Sequence, residues 1–251
     1  MKTVAFIPSR FGSSRFPGKP LAVISGKPMI RHVYERAESC PEISDVFVAT
    51  DDERIFRCVE KFGGKAIMTR GHHPSGSDRV WEAASAAGLD ADDLVVNIQG
   101  DQPAFDPGSM SLLIASLLND PGLYMSTLIF RIKESSSVTD SNDVKVVVDS
   151  NGFALYFSRS PVPFYRDRDS EKLYYKHLGF YAFRMKFLKI FNSLPQGRLE
   201  QAEKLEQLRA VEHGYKIKVV ESMWDSPEVD TPSDIAKIEK ALRLVHGTGK
   251  L

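Results

Sequence analysis

Three fixed cations stand close together near the start of the chain: Arg10, Arg15 and Lys19, in the stretch SRFGSSRFPGKP. Gly12, Pro17, Gly18 and Pro20 break any helical period there, and the small residues Ser9, Ser13 and Ser14 let the backbone come close to a bound group. A curled loop of this kind can turn several side-chain cations and free backbone N–H groups toward one concave point, which is the chemistry of an anion cradle. The expectation is a phosphate site on Arg10, Arg15 and Lys19, with Ser13 beside them. The pattern is neither G-x-G-x-x-G nor G-x-x-x-x-G-K-[ST], so neither the dinucleotide fingerprint nor the P-loop is present, which argues against an NAD-type oxidoreductase or an ATPase.

Two carboxylates complement that cradle. Asp101 closes the segment DLVVNIQGD, where the most apolar strand of the chain should surface, and Asp230 lies in EVDTPSD just before a helix. A carboxylate aimed at a phosphate is sensible with a divalent cation between them, and two carboxylates plus phosphate oxygens and waters suit Mg²⁺. Asp230 also reads as a helix cap, although Thr231 and Asp234 can serve that purpose alone. In HHPSGSDR, residues 72–79, adjacent histidines lack a third ligand at a spacing fit for zinc. Ser75, Gly76 and Ser77 instead suit close approach to a flat base, with Arg79 following as a donor. His177, with Arg159 on the preceding strand, reads by itself as a structural histidine, and Glu206 and Gln207 as the solvated face of an amphipathic helix.

Positioning these residues requires a particular scaffold. Strand patterns over 3–8, 45–51, 65–69 and 93–101 alternate with helical patterns over 28–37, 53–62 and 80–87, a βαβ rhythm that predicts a mostly parallel, doubly wound sheet. In such sheets ligands lie at the carboxyl ends of the strands, where the Arg10 loop and the Asp101 turn both fall. The second half changes character: residues 124–132 and 144–161 read as antiparallel strands, the latter turning at 149–152, and 159–172 as a charged loop. Strands over 178–184 and 215–222 and helices over 185–194, 199–212 and 232–244 complete it. The expected class is α/β, a Rossmann-like sheet with a smaller antiparallel layer. The chain reads as a single domain of two halves, residues 1–125 and 126–251.

At 251 residues the chain is long enough for a sizeable core, and 33 Lys plus Arg against 33 Asp plus Glu leave no global field for nucleic acid or an anionic membrane. Cys40 and Cys58 lack a C-x-x-C spacing, which suits reduced thiols. With no signal peptide or membrane-length apolar run, the expectation is a cytoplasmic protein.

Taken together, IPSRFGSSRFPGKPL, VATDDERI, HPSGSDR, VVNIQGDQP, LYFSRSPVP, YKHLGFYAFR, LEQLRAVEHGYKIKV and VDTPSDI resemble, in order and over nearly the whole chain, the CMP-Kdo synthetases, the 3-deoxy-manno-octulosonate cytidylyltransferases of lipopolysaccharide synthesis. The resemblance implies the fold of the nucleotide-diphospho-sugar transferases and transfer of CMP from CTP to the anomeric 2-hydroxyl of the eight-carbon sugar acid, releasing pyrophosphate. Arg10, Arg15 and Lys19 would hold the triphosphate, residues 75–79 the cytosine, and Asp101 and Asp230 the Mg²⁺, with Gln99 near the sugar. Arg159, His177, Tyr181, Glu206 and Gln207 match positions around the sugar acid, and Arg15 stands beside it. The resemblance also implies that residues 1–125 are the CTP-binding half and 126–251 the sugar-binding and dimerisation half, with a homodimer built through the second-half strands. A sialic acid-type cytidylyltransferase and a non-catalytic nucleotide-binding protein of the same fold are the alternatives.

Departures bear on the acceptor. The family usually has Asp-Glu-Pro where this chain has Asp101-Gln102-Pro103, Thr in place of Ser77, and a glycine shortly before Val229 where this chain has DSPE. These variants look more like the branch that activates 8-amino-3,8-dideoxyoctulosonate. An ammonium at C8 would want a carboxylate, with Asp225 or Glu228 the candidate partner, unless DSPE is merely a turn.

Overall fold

The computed structural model describes residues 1–12, 15–167 and 171–247, with backbone alone for 244–247. Ser13, expected beside the anion cradle, lies outside the described residues. The first strand, β1 (Thr3–Ser9), sends Val4 and Phe6 to one face and Ala5 and Ile7 to the other, all four buried, as a strand covered on both sides requires. The chain continues through β2 (Val23–Ile24), β3 (Lys27–Pro28), α1 (Met29–Glu38), β4 (Asp45–Thr50), α2 (Glu53–Lys61), β5 (Lys65–Met68), α3 (Gly76–Ala86), β6 (Leu94–Asn97) and α4 (Pro107–Asn119). The second half supplies β7 (Met125–Arg131), α5 (Ser135–Thr139), β8 (Lys145–Val148), β9 (Ala154–Ser158), β10 (Tyr175–Arg184), α6 (Met185–Ser193), α7 (Arg198–Glu203), α8 (Leu208–Glu212), β11 (Lys218–Ser222) and α9 (Ile235–Gly247).

The strands form one sheet in the order β11-β7-β10-β6-β1-β4-β5, extended from β10 by the β8–β9 hairpin. The run β6-β1-β4-β5 is parallel, as is β11 with β7, whereas β10 is antiparallel to both β6 and β7. The expected α/β class holds, and the antiparallel strands of the second half continue the same sheet. One face is covered by α1, α2 and α4 through Ile30, Val33, Ile55, Val59, Leu113 and Leu117; the other by α3, α6 and α8 through Val80, Ala83, Leu188, Phe191 and Leu208. Each large apolar side chain buried this fully contributes roughly 1.5–3 kcal/mol, so burial of the two faces holds the sheet between the two helical layers.

Two differences from the sequence reading matter. Helix α4 has no counterpart in it, although Asp106 caps the Ser109 N–H, Pro107 occupies the first turn, and Met110, Leu113, Ile114 and Leu117 are buried at helical spacing. The single helix expected over 199–212 is instead two, α7 and α8, separated at Lys204, which takes a left-handed conformation with φ 56°. A continuous helix would have left Glu206 and Gln207 on its outer surface. The break turns them inward.

Candidate active site

Two cavities open side by side at the carboxyl ends of the parallel strands. The first, about 340 Å³, is lined by Ser9, Arg10, Arg15 and Lys19 from the loop after β1, by His73, Ser75, Gly76 and Arg79 at the start of α3, and by Gln99, Asp101 and Asp230. The second, about 370 Å³, is lined by Arg159, His177, Tyr181, Glu206 and Gln207, together with Gln102, Gly179 and Glu228. Arg15, Gln99, Asp101 and Asp230 line both. Of the described residues singled out from the sequence, Arg10, Arg15, Lys19, Ser75, Gly76, Arg79, Gln99, Asp101, Arg159, His177, Tyr181, Glu206, Gln207, Glu228 and Asp230 face one cavity or the other, whereas Ser77 and Asp225 line neither.

The loop that carries Arg10, Arg15 and Lys19 leaves β1 at Ser9 and returns as a turn of 3-10 helix over Lys19–Leu21, closed where the Gly18 N–H donates to the Phe11 carbonyl at 3.0 Å. Asp101 is brought beside it by close backbone approach. At Gly100 a Cβ would lie 2.9 Å from Ser9 Oγ and 3.0 Å from the Pro8 carbonyl oxygen, so only glycine lets this turn lie against the end of β1. Asp230 is freed by its neighbours: Thr231 and Asp234 form a capping box, and Asp234 Oδ2 also accepts from the Asp230 N–H at 3.0 Å. The Asp230 carboxylate is thus available to Arg15, which binds it through two nitrogens at 2.9 and 3.0 Å.

Lys19 sits at the centre of this arrangement. Its Nζ is 2.8 Å from Asp101 Oδ2, 2.8 Å from the Val229 carbonyl and 3.9 Å from Asp230 Oδ1. The Lys19 ammonium thus gathers oxygens from two carboxylates and a carbonyl around one point, and oxygen donors of this kind are the ones a hard divalent cation takes. Among the described residues no group of three or more His, Cys, Asp or Glu side chains is placed to hold a metal ion.

At the start of α3, Ser75 caps the helix by accepting from the Asp78 N–H, and its hydroxyl donates to Asp78 Oδ2 at 2.8 Å. The residues expected to approach a flat base are therefore the N-cap and first turn of a helix, and Ser75 and Gly76 line the first cavity there. Arg79 is buried, donating to Thr69 Oγ1 at 2.5 Å and lying 3.4 Å from Asp51. His73 pairs with Glu82 at 2.5 Å, a partner no helical or metal spacing would have suggested.

Glu206, which lines the second cavity, accepts from the hydroxyl of the buried Ser77 on α3 at 2.7 Å through Oε1. Glu206 Oε2, Gln102 Oε1 and, in the first cavity, Ser9 Oγ are buried without a partner among the described residues. Burial raises the Glu206 carboxyl, and Asp78 adds to the effect. Glu228, accepting from Gln102 Nε2 at 3.1 Å, is pushed up to about 7 by the protein packed around its carboxyl, with the negative field of Asp101 next in effect. Asp225 does not line either cavity and lies 3.5 Å from Lys176. Arg159 is held by Glu203 and by the Ser141 carbonyl. Gly179 was not among the sequence candidates, and Ser9 was read there only as a small residue of the loop; its position at the carboxyl end of β1 is the signal that makes it a lining residue.

A cytidylyltransferase family model matches residues 4–217. The 3-deoxy-manno-octulosonate cytidylyltransferase of Desulfatibacillum aliphaticivorans is 56% identical over 243 residues, 97% of this chain and 99% of that protein. The 8-amino-3,8-dideoxy-manno-octulosonate cytidylyltransferase of Shewanella piezotolerans is 55% identical over 243 residues, covering 96% and 99%. Among solved structures, a CMP:2-keto-3-deoxy-manno-octonic acid synthetase complexed with CTP superposes with a TM-score of 0.91 at 44% identity, over 98% of this chain and 100% of that one. The resemblance seen in the sequence motifs is borne out: this chain belongs to the cytidylyltransferase family of nucleotidyltransferases.

Proposed function

We propose that the chain transfers CMP from CTP to the anomeric 2-hydroxyl of 3-deoxy-manno-octulosonate or of its 8-amino-3,8-dideoxy analogue, with Mg²⁺, releasing pyrophosphate. The observation that carries the reading is the shared wall: two cavities meet at Arg15, Gln99, Asp101 and Asp230. A group that passes from one bound molecule to another must be reachable from both sides at one point, and the charges needed for phosphoryl chemistry stand at that point. CTP occupies the first cavity, its phosphates on Arg10, Arg15 and Lys19 and its base against Ser75, Gly76 and Arg79. The sugar acid occupies the second, among Arg159, His177, Tyr181, Glu206 and Gln207.

Asp101 and Asp230 fit Mg²⁺, since both offer hard oxygen donors already gathered around the Lys19 ammonium. When bound there, the ion supplies Lewis-acid polarisation of an α-phosphate oxygen and a lowered pKa for the sugar hydroxyl. Lys19 and Arg15, released from the two carboxylates, turn to the phosphates and neutralise the charge that builds on the departing pyrophosphate. The reaction needs no side-chain nucleophile, because in-line attack by a positioned hydroxyl suffices.

Of the two carboxylates considered for an acceptor ammonium, Glu228 is the one that lines the sugar cavity. The reading includes a homodimer through the second half, supported by exposed Leu155, Phe164, Met223 and Trp224. It also includes cytoplasmic work in lipopolysaccharide synthesis, supported by the family resemblance. No helix among the described residues is long and apolar enough to cross a membrane. The test is pyrophosphate release with CTP and Mg²⁺, offered 3-deoxy-manno-octulosonate, its 8-amino analogue and sialic acid in turn. Turnover with either octulosonate is expected; folded, CTP-binding protein that turns over neither would overturn the assignment.

A further inference from the structure

The geometry points to Thr127, through His177, as the positioning residue that sets the amide of Gln207 toward the acceptor. This rests on the reading of the second cavity as the acceptor site. The argument is one of hydrogen-bond polarity. The Phe180 carbonyl can only accept, so the Thr127 hydroxyl, 2.7 Å away, spends its single hydrogen there. Thr127 Oγ1 then has only lone pairs to offer His177 Nε2 at 2.8 Å, and Nε2 must carry a hydrogen. Burial against Phe157 and Tyr181, with no charged side chain among its described contacts, holds the imidazole neutral, its pKa lowered to about 3. His177 Nδ1 is therefore bare and can only accept. The group facing it, at 3.4 Å, is Gln207 Nε2, which leaves Gln207 Oε1 to accept from the Tyr181 hydroxyl at 3.0 Å.

The bonds thus run one way: Tyr181 to Gln207 to His177 to Thr127 to the Phe180 carbonyl. Both ring nitrogens of His177 are used within the protein, so although the ring lines the cavity, it has no nitrogen left for a ligand and acts through Gln207. What remains for the acceptor is the second N–H of Gln207, the second lone pair of its Oε1 and the free lone pairs of the Tyr181 hydroxyl.

The backbone shows that this arrangement is built in. His177 pairs with Ile129 and Tyr181 with Thr127, so β10 takes four steps where β7 takes two, and the extra length forms an irregularity around Gly179, whose φ is +76°. Thr127 lies opposite that irregularity, and its hydroxyl bonds two residues within it. From the other side Gln99 Nε2 and Gln102 Nε2 donate to the Gly179 and Leu178 carbonyls at 2.7 and 2.9 Å. The fully buried Thr127 thus connects strand register to the orientation of a cavity-lining amide.

The experiment is ¹⁵N NMR of the histidine side chains in the full chain, with the His177 resonances identified by their loss in His177→Gln, combined with kinetics of Thr127→Val and Thr127→Ser. Wild type is expected to show a protonated Nε2 and a bare Nδ1 at His177. Thr127→Val should shift the ring toward the other tautomer and raise the KM for the sugar acid roughly tenfold, about the size of one lost neutral hydrogen bond. Its kcat and its KM for CTP should stay within about twofold, and Thr127→Ser should restore wild-type values. A wild-type His177 protonated on Nδ1, or on both nitrogens at neutral pH, would overturn the inference even if the valine variant failed to fold. An equal rise in both KM values would also overturn it, as a general structural defect. The tautomer is read without substrate, so a failure of the cytidylyl-transfer assignment would leave this measurement standing and is told apart from it.

Discussion

Replacing Glu206 with glutamine should make the protein more stable and the enzyme worse. Glu206 lies in the break between α7 and α8, with Oε1 bound to the Ser77 hydroxyl at 2.7 Å and Oε2 buried without a partner. Burial raises its pKa from 4.5, with Asp78 adding to the effect. A carboxyl whose folded pKa lies above its unfolded one contributes stability that is fully present below the unfolded value and is lost as pH rises through the folded value. Above that window the native state carries an unfavourable buried charge, which the isosteric amide removes while still accepting from Ser77. An unsatisfied buried group costs about 1–3 kcal/mol, and the amide's own unpaired N–H groups offset part of the gain, so about 1 kcal/mol is expected near pH 8. For a chain of this size that is a rise in Tm of roughly 2–4 °C, shrinking toward zero near pH 4, where Glu206 is protonated in both states. Kinetically, exchanging a charge-assisted acceptor for a neutral group should raise the KM for the sugar acid by about 10- to 100-fold. Binding of CTP should be unaffected. Calorimetric scans at the two pH values, with kinetics in both substrates, check this. A lower Tm near pH 8, or a gain of equal size at both pH values, would refute the reasoning.

Three further outcomes follow from the same structure. Arg209 binds Glu200 through two nitrogens at 2.6 and 2.9 Å with both side chains buried, so Arg209→Met should lower stability by about 3–5 kcal/mol in thermal scans, while a double replacement with Glu200→Leu should recover most of it. Because Arg15 occupies Asp230 and is largely solvent-exposed, Arg15→Ala should strengthen Mn²⁺ binding without nucleotide by no more than about fivefold and weaken CTP binding, both read by titration calorimetry. Weaker metal binding would show that the ion pair does not compete with the ion. Gly100→Ala should force the 99–101 turn away from β1, costing about 1–3 kcal/mol in denaturant titrations together with much of the CTP affinity; a wild-type result would remove close approach as the reason for glycine there.

The parts of the site built from local chemistry were legible in the sequence. Arg10, Arg15 and Lys19 share one short loop whose glycines and prolines exclude a helix, and Asp101 follows the most apolar strand directly, so both could be read from neighbours along the chain. Asp230 read in the sequence as either a metal ligand or a cap; in the fold Thr231 and Asp234 make the capping box, which leaves the Asp230 carboxylate to Arg15. His177, Glu206 and Gln207 were another matter. By spacing alone they read as a structural histidine and a solvated helix face, and only the family resemblance moved them to the sugar acid. Helical periodicity failed there because Lys204 adopts a left-handed conformation, which local propensity disfavours and which tertiary contacts of the Glu206 segment with α3 support.

From the sequence by itself came the α/β class, the order of most elements, the anion loop and the carboxylates at the strand ends, because hydrophobic period, turn residues and charge spacing act between residues close along the chain. Tertiary structure alone decided that the two cavities share a wall, that α7 and α8 break to turn Glu206 inward, and that Thr127 on β7 governs His177 on β10. Those outcomes depend on strand register and on buried polar groups finding partners 50 or more residues away, as Thr127 and His177 do and as Ser77 and Glu206 do across 129. Such pairings are chosen by the packed whole, since a buried donor or acceptor is costly unless its partner arrives from elsewhere in the chain.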